Sequence, residues 1–308
     1  MFLKKATIAL AQTSPILGDI SRNVEQHCET VERALQQGAE AICFPELSLT
    51  GYTLRDLNFE LALDPATSPL LKPLRDLSKK ITIICGGVES DQSGAVFNAA
   101  FCFERGGHLA THRKIYPPTY GLFEEMRYFS RGMSLRAFDS EVLGRIGMLV
   151  CEDLWHPALP YLLAQDGAQM IFVPTASPTQ LATGEAAAAS AAPVNYDVNR
   201  EHHAAYARLL GLYVACVNRV GVEDGVSFWG GSELVSPSGE TRKRAKFFEE
   251  DLVITEVDPA VVRHARQRSR HSIDEDLPLT RSLFEEIFNR RRGVSGVDFE
   301  GEESPKPR

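Results

Sequence analysis

The sequence predicts an α/β layered fold, with residues 1–292 forming a single domain. Strand-length apolar runs alternate with segments whose apolar residues recur at helical spacing. These strand–helix–strand units flank a central series of strands joined by short Gly-containing turns. The chain has 308 residues and is 44% apolar, ample for a sizeable core.

The elements follow in order. "KATIALAQ" (5–12) reads as a strand. Segment 21–39 has Val24, Cys28, Val31 and Leu35 at helical spacing, a Ser at its start and Gly38 near its end, so it predicts a helix. "EAICFPE" is the next strand, 68–80 a helix and "ITIICGGVES" a strand again. "AVFNAAFCFE", "GHLATHRKIY" and "LRAFDSEVLGRIGMLVCE" read as successive strands with no helix between them. "PALPYLLAQDGA" is a helix ending at Gly167, "QMIFVPTAS" a strand, "NREHHAAYARLLGL" a helix and "YVACVNRVG" a strand. "GSELVSPSGETRKRA" predicts a hairpin turning at Ser238-Gly239, and "LVITEVD" a last strand. A helix, "LPLTRSLFEEIFNRRR", precedes a polar tail (293–308) with too little apolar content to order itself. The Ala-rich stretch 181–196 reads as a lid-like loop or an added helical turn.

A formal net charge of −8 argues against nucleic acid or an anionic membrane as partner. The basic runs 241–246 and 290–292 read as solvated charge. No apolar run approaches the ~18 residues of a membrane span, and the start reads as a strand, not a secretory signal, so a cytoplasmic protein is expected. None of the six cysteines forms a Cys-x-x-Cys pair. Cys43, Cys85, Cys102 and Cys216 sit inside apolar runs as small buried hydrophobes. No metal or organic cofactor is expected. His202 and His203 are adjacent on a helix and cannot both face one ion, and His112 and His156 read as partly exposed polar residues.

Cys151 differs. Its apolar run, "RIGMLVCEDLWHP" (145–157), ends in a thiol followed at once by Glu152 and Asp153, whose charges would raise the thiol's pKa. Two other strands also end in chemically useful side chains, Glu46 after "AICFP" and Lys114 after "HLATHR". A cysteine can attack an amide or nitrile carbon to form a thioester. Glu46 could take its proton, return one to ammonia and then activate water. Lys114, with a backbone N–H just after the cysteine, could stabilise the oxyanion and offset the field of Glu152 and Asp153. By spacing alone this trio is weak evidence.

The text around it is more distinctive. "FPELSLTGY" (44–52), "HRKIYPPTYGLFEEMRYFSRG" (112–132) and "GMLVCEDLWHP" (147–157) together resemble the nitrilase, or carbon–nitrogen hydrolase, superfamily. Within it, the glutamine-hydrolysing domain of glutamine-dependent NAD synthetases is most similar, over roughly residues 5–258. The resemblance implies a four-layer α-β-β-α sandwich with Glu46 as general base, Lys114 as oxyanion stabiliser and Cys151 as nucleophile. Glu125, with Glu124 as the alternative, matches a second glutamate that positions the lysine. Tyr120, Phe123, Glu152, Trp155 and Ser177 fall on or near substrate-pocket positions. Plainer readings are packing aromatics, a helix cap at Glu152 and a turn at Ser177.

These observations predict a hydrolase that releases ammonia from a small linear amide, glutamine-like compounds favoured. The alternatives are an N-carbamoyl amidase or nitrilase with the same triad, a glutaminase subunit feeding a separate synthetase, and a non-catalytic binding protein. The resemblance also implies a homodimer or larger assembly through "PALPYLLAQDGA". The Ser-Gly-Gly-x-Asp-Ser loop that grips pyrophosphate in NAD synthetases has no counterpart in the sequence, so ATP-dependent activation of nicotinate is not expected.

Overall fold

Along strand β1 (Ala6–Gln12), Ile8 and Leu10 point to one face and Ala9 and Ala11 to the other, and all four are fully buried. A strand buried on both faces belongs to an inner layer. The computed structural model describes residues 4–179 and 196–292. Among them two six-stranded sheets provide the inner layers. The first has the order β14-β1-β2-β3-β4-β5 (Asp251–Val257, β1, Ala41–Cys43, Thr82–Ser90, Val96–Glu104, Gly107–Arg113). The second has the order β13-β12-β9-β8-β7-β6 (Thr241–Arg244, Glu233–Val235, Tyr213–Asn218, Met170–Thr175, Gly144–Met148, Phe138–Ser140).

Two-residue alternation sends the apolar side chains of the strands to opposite faces of each sheet. Ile8, Leu10, Cys43 and Ile84 of the first sheet meet Met148, Phe172, Ala215 and Leu234 of the second in one cluster, the filling between the sheets. Ala9, Ile42, Ile83 and Phe101 face the other way and pack on helices α1 (Ile20–Gln36) and α2 (Lys72–Leu77). Ile171, Val173, Val214 and Val235 pack on α4 (Ala158–Gln165) and α5 (Tyr196–Leu210). The order is helix, sheet, sheet, helix.

The structure departs from the sequence reading in several places. Helix α1 is capped by Asp19, whose side chain accepts from the Arg22 N–H, so it begins just before the Ser expected to start it. A one-turn helix α3 (Glu125–Tyr128) interrupts the central strands, where no helix was expected. "YVACVNRVG" does not stop at β9 but runs on into a separate hairpin, β10 (Val220–Glu223) with β11 (Val226–Trp229). Helix α6 (Pro259–Arg268), capped by Asp258, is an addition. The basic run after Gly239 forms the exposed edge strand β13, whose charges discourage pairing with another chain.

The chain divides into two compact units, residues 1–269 and 270–308. That boundary falls inside the span 1–292 assigned to one domain by the sequence. The described part of the second unit contains α7 (Leu277–Arg291), capped by Asp276. The lid expected over 181–196, apart from Tyr196, and the tail 293–308 lie outside the described residues. Among the described residues no helix is long and apolar enough to cross a membrane.

Candidate active site

Glu46 stands three residues beyond β2, on a turn where Leu47 adopts φ 49° and the Leu49 N–H returns to the Gly86 carbonyl at 3.0 Å. The carboxylate is buried, so both oxygens need donors. Oε1 accepts from Lys114 Nζ and Asn98 Nδ2, each at 2.7 Å, and Oε2 accepts from the Ala176 N–H at 2.8 Å.

Lys114 follows the last residue of β5, and its N–H donates to the Asn98 carbonyl at 2.8 Å. Its buried ammonium bonds two carboxylates, with Glu125 Oε1 2.8 Å away in addition to Glu46. Burial opposes the charge, but Glu125 and Glu46 outweigh it and hold the amine well above its ordinary pKa. Lys114 is therefore a permanent cation. Glu125 also accepts from the Tyr52 hydroxyl at 2.5 Å and from Asn98 Nδ2 at 3.3 Å. Burial raises its pKa despite the neighbouring lysine.

Cys151 lies three residues beyond the end of β7 and opens a short 3₁₀ turn, Cys151–Trp155. Its φ of 47° is left-handed, which is costly for a residue with a Cβ. Burial and then Glu46 push the thiol well above its ordinary pKa, while Lys114 and the Ala176 N–H pull the other way. The sulfur is a thiol at neutral pH and needs a base before it can attack.

Burial leads the influences on the thiol, and the carboxylates that add to it are Glu46 and then Glu125, not the expected Glu152 and Asp153. Asp153 is fully buried and takes four N–H donors: His112 Nε2 at 2.8 Å and the backbone of Ile115, Tyr116 and Val150 at 3.0, 2.9 and 3.2 Å. His112, expected to be partly exposed, is buried because it serves that carboxylate. Glu152 accepts from the Tyr120 hydroxyl at 2.8 Å.

Three of the five expected pocket residues line one of two cavities, and Tyr120 and Glu152 line neither. Trp155 and Ser177 line a small one of about 30 Å³ with Cys151, Thr175, His203 and Cys216. Phe123 lines a neighbouring one of about 240 Å³ with Tyr52, Glu125, Tyr128 and Phe228. Tyr120 meets Phe123 edge-on at 5.7 Å and through Glu152 approaches the nucleophile turn. Ser177 is held by its N–H on Asn218 Oδ1 at 2.9 Å and by Trp229 Nε1, which donates to its hydroxyl at 3.1 Å. Glu124, the alternative to Glu125, lines the larger cavity but makes none of the bonds to Lys114.

Tyr52, Asn98, Asp153 and His203 were missed as site residues. Asn98 had a signal, an amide inside the strand "AVFNAAFCFE", all of whose described strand residues are buried. In the sequence His203 reads only as half of a histidine pair that cannot share one ion. Its Nδ1 is paired with Glu233 Oε1 at 2.7 Å; burial opposes its charge, but Cys216 and Glu233 push its pKa up to about 10.

A thiol, a carboxylate acceptor and a fixed cation around one buried point form a donor set suited to attack on an acyl carbon. The carbon–nitrogen hydrolase family model matches residues 7–267. The chain is 29% identical over 303 residues to the glutamine-dependent NAD(+) synthetase of Acinetobacter baylyi, covering 96% of this chain and 52% of that protein. It is 31% identical over 260 residues to the synthetase of the same name from Thermotoga maritima, covering 83% and 42%. The chain thus spans about half the length of the curated relatives it matches. Among solved structures, an amidase from Nesterenkonia sp. AN1 superposes with a TM-score of 0.73 at 24% identity, covering 90% of this chain and 96% of that one, a likeness of fold.

Proposed function

The chain belongs to the carbon–nitrogen hydrolase family, enzymes acting on C–N bonds, and on that premise we propose that it hydrolyses a small linear amide through a Cys151 thioester. One observation carries the reading: the Lys114 ammonium is fixed at 2.7 Å from Glu46 and 2.8 Å from Glu125, beside the half-buried Cys151, whose raised pKa calls for a base.

In this reading Glu46 accepts the thiol proton as the sulfur attacks the amide carbon. Lys114 and the Glu152 backbone N–H meet the oxyanion. When the C–N bond breaks, the Glu46 carboxyl returns its proton to the leaving nitrogen and ammonia departs. Glu46 then takes a proton from water, whose oxygen attacks the thioester, and the carboxylate product and free thiol are restored. Glu125 keeps Lys114 charged and aimed, while Tyr120, Phe123, Glu152, Trp155 and Ser177 shape the substrate end. The same groups would serve a carbamoyl compound or a nitrile. The likeness to NAD synthetases favours a glutamine-like amide.

A second reading is favoured by the likeness to proteins named glutamine-dependent NAD(+) synthetases: a glutaminase that hands its ammonia to a synthetase. A homodimer or larger assembly and a cytoplasmic setting accompany either reading.

The test is ammonia release from a panel of amides, carbamoyl compounds and nitriles including L-glutamine. Wild type and Cys151→Ala would run together, with intact-mass spectra of quenched enzyme. Release by wild type alone, with an acyl adduct on wild type alone, is expected. Turnover by Cys151→Ala would end the thioester reading. Turnover that appears only with a synthetase chain added would favour the second.

A further inference from the structure

The proposed reaction requires Lys114 and Cys151 to keep a fixed separation, yet they leave strands of different sheets, β5 and β7. Ladder hydrogen bonds therefore do not set one against the other. Asp153 does. Its Oδ1 accepts from the N–H of Ile115 and Tyr116, the two residues after Lys114. Its Oδ2 accepts from His112 Nε2, two residues before Lys114, and from the N–H of Val150, the residue before Cys151. One buried carboxylate thus grips the lysine segment from both sides and the nucleophile turn from within.

We infer that Asp153, oriented by His112, is a positioning residue that fixes the Lys114 ammonium relative to the Cys151 thiol across the two sheets. The four converging donors explain the residue type. An ionised carboxylate is acceptor-only at both oxygens, whereas an amide would turn its NH₂ toward N–H donors. The carboxylate also dictates that His112 carries its proton on Nε2. Cys151 supplies the need: a left-handed nucleophile turn holds its shape only where its surroundings over-determine it.

The catalytic readout rests on the proposed amide hydrolysis; the covalent one does not. His112→Phe keeps the ring shape and removes the donor, His112→Gln restores a donor near Nε2, and Asp153→Asn is the harsher third variant. On the best amide, His112→Phe should lose at least ten-fold in kcat per folded site with KM within two-fold, and His112→Gln should return to within three-fold of wild type. Labelling of Cys151 by iodoacetamide, followed by intact mass, should slow at least five-fold in folded His112→Phe and recover in His112→Gln. If wild type releases no ammonia from any substrate, slower labelling with Gln rescue still supports the positioning role. Unchanged or faster labelling in folded His112→Phe, or equal losses in Phe and Gln, would overturn it.

Discussion

Tyr52 donates its hydroxyl to Oε1 of Glu125 at 2.5 Å, so a residue from the loop after β2 sets the carboxylate that shares Lys114 with Glu46. The tyrosine is held in turn by Glu223 Oε1, which accepts the N–H of Tyr52 at 2.9 Å and of Thr53 at 2.6 Å. Glu223 is itself paired with the buried Arg219 at 2.7 Å. The hairpin absent from the sequence reading is thus part of the support for Lys114.

Tyr52→Phe should therefore weaken catalysis without blocking the pocket. A hydrogen bond to a charged group contributes about 1.5–3 kcal/mol, so kcat should fall by about ten-fold or more while KM stays nearly constant. The Tyr52 bond also lowers the Glu125 pKa against the effect of burial. Its loss raises that pKa further, and the acid limb of the rate profile should move to higher pH. A pH series of kcat/KM on wild type and Tyr52→Phe tests both, and an unmoved acid limb would sink the link to Glu125.

Glu125 should also cost stability at neutral pH. Burial lifts its pKa above the ordinary 4.5, so the folded protein binds this proton more tightly than the unfolded chain does. The stability this gives is complete below pH 4.5 and is lost as pH rises through the folded value. Glu125→Gln lacks that loss. Its melting temperature should gain on wild type between pH 4.5 and 7.5, even as its kcat drops at least ten-fold. A difference in melting temperature that does not change with pH would refute the linkage.

Much of the framework was legible because two-residue alternation and helical spacing are local signals. β1, α1 and β3 stand within a few residues of their expected places. Glu46, Lys114 and Cys151 each follow a strand, but it is the three motif blocks around them that make them stand out. Hairpin β10–β11 did not, since a short strand around Gly221 and Gly225 has little periodicity to read. Asp153 was misjudged for a different reason: sequence shows a charge beside a thiol but not which way it points. Tyr52 lay inside a recognised block, and its role depends on a contact 73 residues away.

Gly86 shows a constraint that sequence hides altogether. A Cβ there would lie 2.3 Å from the Leu47 nitrogen, 2.6 Å from the Pro45 oxygen and 2.8 Å from the Glu46 carbonyl carbon, all backbone atoms that cannot swing aside. Gly86→Ala must push the Glu46 peptide away from β3. Overpacking of this kind costs about 1–3 kcal/mol, and here the displacement falls on the base itself. Activity per folded molecule should drop at least ten-fold, with a lower denaturant midpoint. Wild-type kcat in the soluble variant would show that the Glu46 turn can slide without harm.

At φ 47°, Cys151 carries a left-handed conformation that costs a residue with a Cβ about 1–2 kcal/mol, whereas glycine adopts it freely. Glycine gives some of that back through the greater entropy of its unfolded chain, about 0.4–1 kcal/mol. Cys151→Gly and Cys151→Ala both remove the thiol, so neither should turn over substrate, and their comparison isolates the backbone. The glycine variant should be the more stable, by about 1 kcal/mol or less and a melting temperature up to a few degrees higher. Such a gap would mean that the turn is held against its own preference, the sulfur's aim being maintained by contacts such as those of Asp153 with Val150. If alanine melts above glycine, the conformational cost at this position is smaller than the entropy that glycine gives back, and the turn needs little such restraint.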